Sequence, residues 1–172
     1  MSTTVVVRDR RRHPSQARTP RASYYGWKRD QIEKALDTLR KRSKAGVPMI
    51  VEGRRDREAL INLGINGTFL SLKGGGETRS HFLDRISEFH DVTILTDFDA
   101  KGSELRLWLY QELTRKGIRA DDLSWRRIRS LARAQVRAVE ELPSFVRSID
   151  AQSRGERPTK PRLVRVVSGV RS

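Results

Sequence analysis

One stretch constrains this chain more than any other: Val92-Thr93-Ile94-Leu95-Thr96-Asp97-Phe98-Asp99-Ala100-Lys101-Gly102. Its first four residues are apolar or β-branched and barely alternate, the pattern of a strand buried on both faces. Such a strand has no place for Asp97 and Asp99 unless it has just emerged at a sheet edge. Side chains two apart on an extended chain point the same way, so the two carboxylates form one acidic pair. Like charges at that spacing repel and are costly unless a cation lies between them. The stretch therefore predicts a central strand whose carboxyl end carries a divalent-metal site, for Mg²⁺ or Mn²⁺.

The segments around it alternate in period. Trp27 to Lys44 reads as a helix with Ile32, Ala35, Leu36 and Leu39 on one stripe, stopped by Gly46 and Pro48. Val47–Val51 is a short apolar strand that runs into Glu52-Gly53, and Arg54–Leu63 is a helix burying Ala59, Leu60 and Leu63. Gly67–Leu72 is a second strand, followed by Lys73-Gly74-Gly75-Gly76. Helices are expected at Thr78–Phe89, Ser103–Lys116 and Ser124–Glu141, the last burying Ile128, Leu131, Ala132, Val136 and Val139. A β-α-β-α-β-α order calls for a mostly parallel sheet with right-handed crossovers and helices on its faces, an α/β fold.

Charge points to the partner. The chain of 172 residues suits one domain with a real core, and its net charge of +15 with a pI near 11.2 implies a polyanion, most often nucleic acid. The charge is uneven: residues 1–22 hold six arginines against Asp9, and residues 143–172 hold seven basic side chains against Asp150 and Glu156. Both ends read as basic, weakly folded arms, with a short strand at 163–167 in the second. The expected division is an arm at 1–22, a helix at 23–45, a globular unit at 46–142 and a tail at 143–172. With no cysteine there is no disulfide, zinc ribbon or thiol catalysis, and a cytoplasmic setting is expected. No apolar run approaches the roughly 20 residues of a membrane span. Val5–Val7 meets arginines at once and is not read as a signal peptide.

In an open parallel sheet the carboxyl ends of all strands share one edge, and sites form there. Glu52, Asp97 and Asp99 should therefore converge: two to hold Mg²⁺, which prefers oxygen ligands and keeps several waters, the third to move a proton or add a ligand. Metal beside phosphate is the natural pairing in so basic a chain. Duller readings stand next to these. Glu52 could cap the following helix, and Asp56 in its first turn either favours the dipole or helps the site. Lys73 with Gly74 and Gly75 is either a loop or a phosphate-holding nest of backbone N–H groups. His13, His81 and His90 have no ligand spacing and read as surface residues. Arg54 and Lys101 are the basic side chains nearest the expected edge. Arg126, Arg129, Arg133 and Arg137 are spaced along one face of the last expected helix, ready for phosphates. Spacing excludes an EF-hand, since Lys101 and Trp108 stand where ligands are required. It also excludes a Walker phosphate loop.

These residues resemble the Toprim domain shared by primases, topoisomerases and several nucleases. Its two motifs are a Glu-Gly at the end of the first strand and Asp-x-Asp-x-x-Gly after the third. They read here as Val51-Glu52-Gly53-Arg54-Arg55-Asp56 and Asp97-Phe98-Asp99-Ala100-Lys101-Gly102. Thr96 and the glycines after the second strand are also similar. The likeness spans about residues 46–120, and Glu140-Glu141-Leu142-Pro143 resembles a stretch of the small stand-alone archaeal Toprim proteins. The resemblance implies a three-layer sandwich, Glu52 as general acid or base, Asp97 and Asp99 as Mg²⁺ ligands, and Asp56 as a helper. Topoisomerases add a domain with a nucleophilic Tyr, and primases usually add a zinc ribbon and a further catalytic subdomain. Neither fits this chain. What remains is a nuclease, similar to the Toprim ribonuclease that matures 5S ribosomal RNA, or an RNA- or ribosome-binding module that kept the acidic site. A metal-dependent phosphatase of small substrates suits the carboxylates but leaves the basic arms unexplained.

Overall fold

The computed structural model describes residues 20–156, apart from residues 74, 75 and 77 and the side chain of Ala134. The basic arm through residue 19 and the strand expected at 163–167 lie outside the described residues. Ten elements follow in order: α1 (Pro20–Lys44), β1 (Met49–Val51), α2 (Arg54–Asn62), β2 (Phe69–Ser71), α3 (Arg79–Ile86), β3 (Asp91–Leu95), α4 (Ala100–Arg115), β4 (Arg119–Asp121), α5 (Leu123–Ala132) and α6 (Leu142–Ser153). The four strands pair in the order β2-β1-β3-β4, and every pairing is parallel.

Alternation along the strands divides the core in two. Met49, Val51 and Leu95 face α1, α5 and α6, where they meet Leu36, Leu39, Trp125, Ile128, Phe145 and Ile149. Ile50, Val92 and Ile94 face α3 and α4, against Phe82, Ile86, Leu109 and Leu113. Helices therefore cover both faces of one parallel sheet, which makes the expected three layers. Burial of both faces is why β1 is apolar throughout, and why β3 is buried without a break from Val92 to Leu95 rather than alternating.

Three expectations are corrected. First, β4 was not anticipated: it has three residues, only Ala120 is apolar, and its pairing with Val92 rather than its own pattern makes it a strand.

Second, the helix expected at Ser124–Glu141 stops at Ala132, because Arg133 takes φ 49°, a left-handed conformation. Val136 and Val139 are buried all the same, but on a segment that crosses the carboxyl edge of the sheet, where Phe98 N–H donates to the Arg137 carbonyl at 2.8 Å. Their helical spacing was a coincidence of burial. Consequently Arg126, Arg129, Arg133 and Arg137 do not share a helix face. Arg126 pairs with Asp122 at 3.0 Å, Arg129 lies over the Trp125 ring at 5.1 Å, and the other two sit beyond the helix.

Third, the tail expected from residue 143 begins with α6, whose Phe145 and Ile149 are buried against α1 and α5. Phe145, Val146 and Ile149 were too few apolar residues to mark a helix in a stretch that turns basic and polar beyond them. At the other end α1 starts at Pro20, seven residues earlier than its apolar stripe suggests, and packs into the same core as the rest.

Candidate acidic cleft

Register brings the site together. Val51 pairs with both Ser71 and Leu95, so the residues just beyond these three strands stand side by side at the carboxyl edge. Glu52 follows β1, Lys73 lies two residues past β2, and Asp97 lies two residues past β3. The ladder continues for one step, since Lys73 N–H donates to the Glu52 carbonyl at 2.8 Å.

Both oxygens of Glu52 are engaged. Oε1 accepts the Asp97 backbone N–H at 3.0 Å, and Oε2 accepts Lys73 Nζ at 2.7 Å. Glu52 is buried, whereas the Lys73 side chain is largely exposed. Hydrogen bonding to Glu52 holds the Lys73 ammonium above its usual pKa. The expectation that Glu52 caps α2 is not met: Gly53 takes the cap position, and its N–H donates to Asp56 Oδ2 at 2.9 Å. Asp56 is buried in the first turn, and burial pushes its carboxyl above the ordinary range, with the charges of Glu52 and Glu140 adding to the effect.

Asp97 uses Oδ1 to accept the Val139 N–H at 2.9 Å. Burial is the main reason its pKa is pushed up to about 6; the hydrogen bond opposes this, and Glu52, Asp56 and Asp99 reinforce it. Asp99 is the N-cap of α4: its Oδ1 accepts the Gly102 N–H at 2.7 Å. Gly102 is required by close approach, because a Cβ there would stand 2.1 Å from the Asp97 carbonyl oxygen. Thr96 anchors the same turn by donating to the Gly102 carbonyl at 2.7 Å, and its own carbonyl accepts the Trp125 indole N–H at 2.7 Å. Every unusual residue of the Asp97–Gly102 motif thus has a contact that explains it.

Glu52, Gly53, Arg54, Arg55, Asp56, Glu58, Lys73, Asp97, Ala138 and Glu140 line one open cleft. Of the residues expected at the site, Glu52, Asp56, Asp97, Lys73 and Arg54 come together there. Asp99 sits at the adjoining helix cap, and Lys101 is exposed in the first turn of α4 outside the lining. Gly74 and Gly75 lie outside the described residues. Arg54 pairs with Glu58 at 3.0 Å, and Arg55 approaches Glu140 at 3.8 Å. Sequence reasoning missed the wall made by Ala138, Val139 and Glu140. The Glu140-Glu141-Leu142-Pro143 likeness was the only pointer to it, and nothing in the spacing sends it to this edge.

Chemically the cleft holds more carboxylates than it neutralises. Asp97 is the clearest case: half-buried, with no basic side chain among the described residues hydrogen-bonded to it. Hard carboxylate oxygens with unbalanced charge fit an oxygen-coordinated divalent ion. Among the described residues no group of three His, Asp or Glu side chains stands at metal-holding spacing. The donors thus fit Mg²⁺ as an ion held by one or two carboxylates and several waters, not as one in a closed protein cage.

The Toprim domain model matches residues 47–124. The chain is 39% identical over 114 residues to the UPF0292 protein of Thermoplasma volcanium, spanning 65% of this chain and 93% of that protein. It is 34% identical over 115 residues to the UPF0292 protein of Archaeoglobus fulgidus, spanning 67% and 89%. Its fold is similar to that of a protein from Aquifex aeolicus, with a TM-score of 0.54 and 21% identity over 63% of this chain and 95% of that one.

Proposed function

Because the chain belongs to the UPF0292 proteins and carries a Toprim domain, a metal-binding fold of nucleic-acid-related proteins, we propose that it acts on the phosphodiester backbone of RNA in an Mg²⁺- or Mn²⁺-dependent manner. The observation that carries this reading is the convergence of Glu52, Asp97 and Lys73 in one cleft of a chain with net charge +15. Asp97 and Asp99 are the residues that would hold the ion. When bound, the ion stabilises negative charge on a phosphodiester under attack.

The chain's own groups do the rest. Lys73 stands 2.7 Å from Glu52, and as the most exposed end of that pair it is the group an incoming phosphate attracts. Drawing Lys73 away from Oε2 leaves Glu52 a free carboxylate oxygen beside the reacting centre, able to take or give a proton within hydrogen-bond reach or through one water. The Asp97 N–H keeps the other oxygen fixed, so the carboxylate stays aimed. Arg54 and Arg55 at the mouth of the cleft are positioned to hold the backbone of a polyanion.

A second reading has an observation of its own. Both Glu52 oxygens are occupied, an arrangement that suits a binding module, ribosomal or otherwise, in which the acidic cleft is retained without turnover. One experiment separates the two. The purified chain is incubated with structured RNA and DNA in the presence of Mg²⁺ or Mn²⁺, beside Glu52→Gln. Loss of a general acid or base costs about 10²–10⁴ in rate, so Glu52→Gln should stay folded, keep its RNA affinity and lose cleavage by that factor. Equal cleavage by both proteins, or no metal-dependent cleavage by the parent, removes the catalytic reading and leaves the binding module.

A further inference from the structure

The first two turns of α1 line no part of the cleft, and only Ala22 and Gly26 of them are buried. A helix of 25 residues is about 37 Å long, far longer than the strands it covers. Near its carboxyl end Arg42 donates to Thr93 Oγ1 at 2.8 Å and to Asp91 Oδ1 at 2.6 Å, at the start of β3. Further back, Lys28 Nζ donates to Gln135 Oε1 at 2.9 Å. Two residues beyond Gln135, the Arg137 carbonyl accepts the N–H of Phe98 in the acidic motif. The helix therefore reaches the carboxyl edge of the sheet at about Lys28, and its first two turns continue past that edge, at the same end of the molecule as the cleft.

Those turns expose aromatic rings. Tyr24 is 53% exposed and Trp27 54%, their centroids 6.2 Å apart with planes 32° apart, while Tyr25 meets Tyr24 edge-on at 5.4 Å. Three positions apart on a helix, Tyr24 and Trp27 share a face. The inward stripe of Ala22, Ile32, Ala35, Leu36 and Leu39 is a different one. The surroundings are basic. Arg21 lies 5.9 Å from the Tyr25 ring. The positive charge of Arg133 acts on Lys28, and Arg133 is the one described non-glycine residue at positive φ, a strained conformation of the kind stored at functional positions. The residues that lead into the helix, 1–19, carry five arginines against Asp9.

We propose that the Tyr24–Trp27 end of α1 is a stacking platform for an unpaired nucleic-acid strand, with Arg21 and Arg133 attracting its phosphates. Flat rings flanked by cations match a single strand, whose bases offer their faces; a duplex hides them in its stack. A protein partner would gain from the rings but not from the surrounding positive charge. The proposal rests on the nucleic-acid reading above and deepens it: the substrate would present an unpaired segment at the cleft's end of the molecule.

The test uses the full chain and fluorescence anisotropy with labelled oligo(U), oligo(dT) and a duplex of equal length. Tyr24→Ala with Trp27→Ala should weaken single-strand binding about tenfold for each ring that stacks and leave duplex binding unchanged. Trp27→Phe should restore most of the loss. Both rings are exposed, so the melting temperature should not move. Comparable losses for oligo(U) and oligo(dT) support a platform blind to the sugar, and a loss confined to oligo(U) supports one that requires RNA. Unchanged single-strand binding by the double variant overturns the proposal, as does an equal loss for duplex. A shift of the free protein from dimer to monomer with no change in oligonucleotide affinity would mark a protein contact instead. If the parent binds duplex but not single strands, the platform fails and the nucleic-acid reading stands; if it binds neither, both fall.

Discussion

At Asp97 burial and the charges of Glu52, Asp56 and Asp99 outweigh one good hydrogen bond, and the carboxyl pKa is pushed up to about 6. An aspartate in an unfolded chain titrates near 3.9. Between those values the folded protein keeps a proton that the unfolded chain has released, so stability falls as pH rises from about 4 to about 6. Above that window the ionised carboxylate costs about 2–3 kcal/mol in the metal-free protein, from about 1.4 kcal/mol per unit. Asp97→Asn keeps an oxygen for the Val139 N–H and removes the charge. In chelator-treated protein it should therefore raise stability at pH 7 by about 1–3 kcal/mol. It should also make the decline between pH 4 and 6 shallower, though not abolish it, since burial raises the Asp56 pKa as well. Urea unfolding at several pH values checks this; an Asn variant that is less stable at pH 7 would contradict it. Divalent metal should reverse the order, stabilising the parent by mass action and the variant little.

Among the elements, α6 shows best where sequence patterns stop informing. The strands β1 and β3 were legible because burial on both faces leaves a run of apolar or β-branched residues that does not alternate. The acidic motif stood out because Asp97 and Asp99 follow a buried strand, and the structure puts Asp97 in the cleft and Asp99 at the cap of α4. By contrast, β4 offers one apolar residue and is a strand only because β3 has a free edge to pair with. The end of α5 misled because Val136 and Val139 are buried at helical spacing on a segment with two short 3-10 turns and no α-helix; hydrogen bonds to Phe98 and Asp97, invisible in sequence, decide its course. In α6 the polar residues Ser144, Arg147, Ser148, Asp150 and Gln152 are interleaved with the apolar ones, yet Ile149 is 1% exposed in the main core cluster. Ile149→Ala should cost about 2–5 kcal/mol, read as a lowered urea midpoint. A cost under 1 kcal/mol would mean α6 is peripheral after all.

For the whole molecule the positive charge lies mostly outside the described residues: nine of the fifteen net charges belong to residues before 20 or after 156. Counterion release makes nucleic-acid affinity fall with salt, with a log–log slope of about −0.7 for each single-strand phosphate neutralised. A chain trimmed to residues 20–156 should thus melt at an unchanged temperature and bind with a clearly flatter slope. Identical slopes for the two chains would place the phosphate contacts on residues 20–156 alone. The packing of α1 on α6 has a different consequence, for the order in which the chain can be completed. The two helices form the largest contact between elements, yet all four strands lie between them in the chain. Closing so long a separation is slow. As the chain leaves the ribosome, α1 emerges early with its apolar stripe of Ile32, Leu36 and Leu39 uncovered, and α6, the last of the described elements to be made, completes the cover that the sheet and α5 begin. Newborn copies should therefore carry an open hydrophobic flank until residues 142–153 arrive to close it.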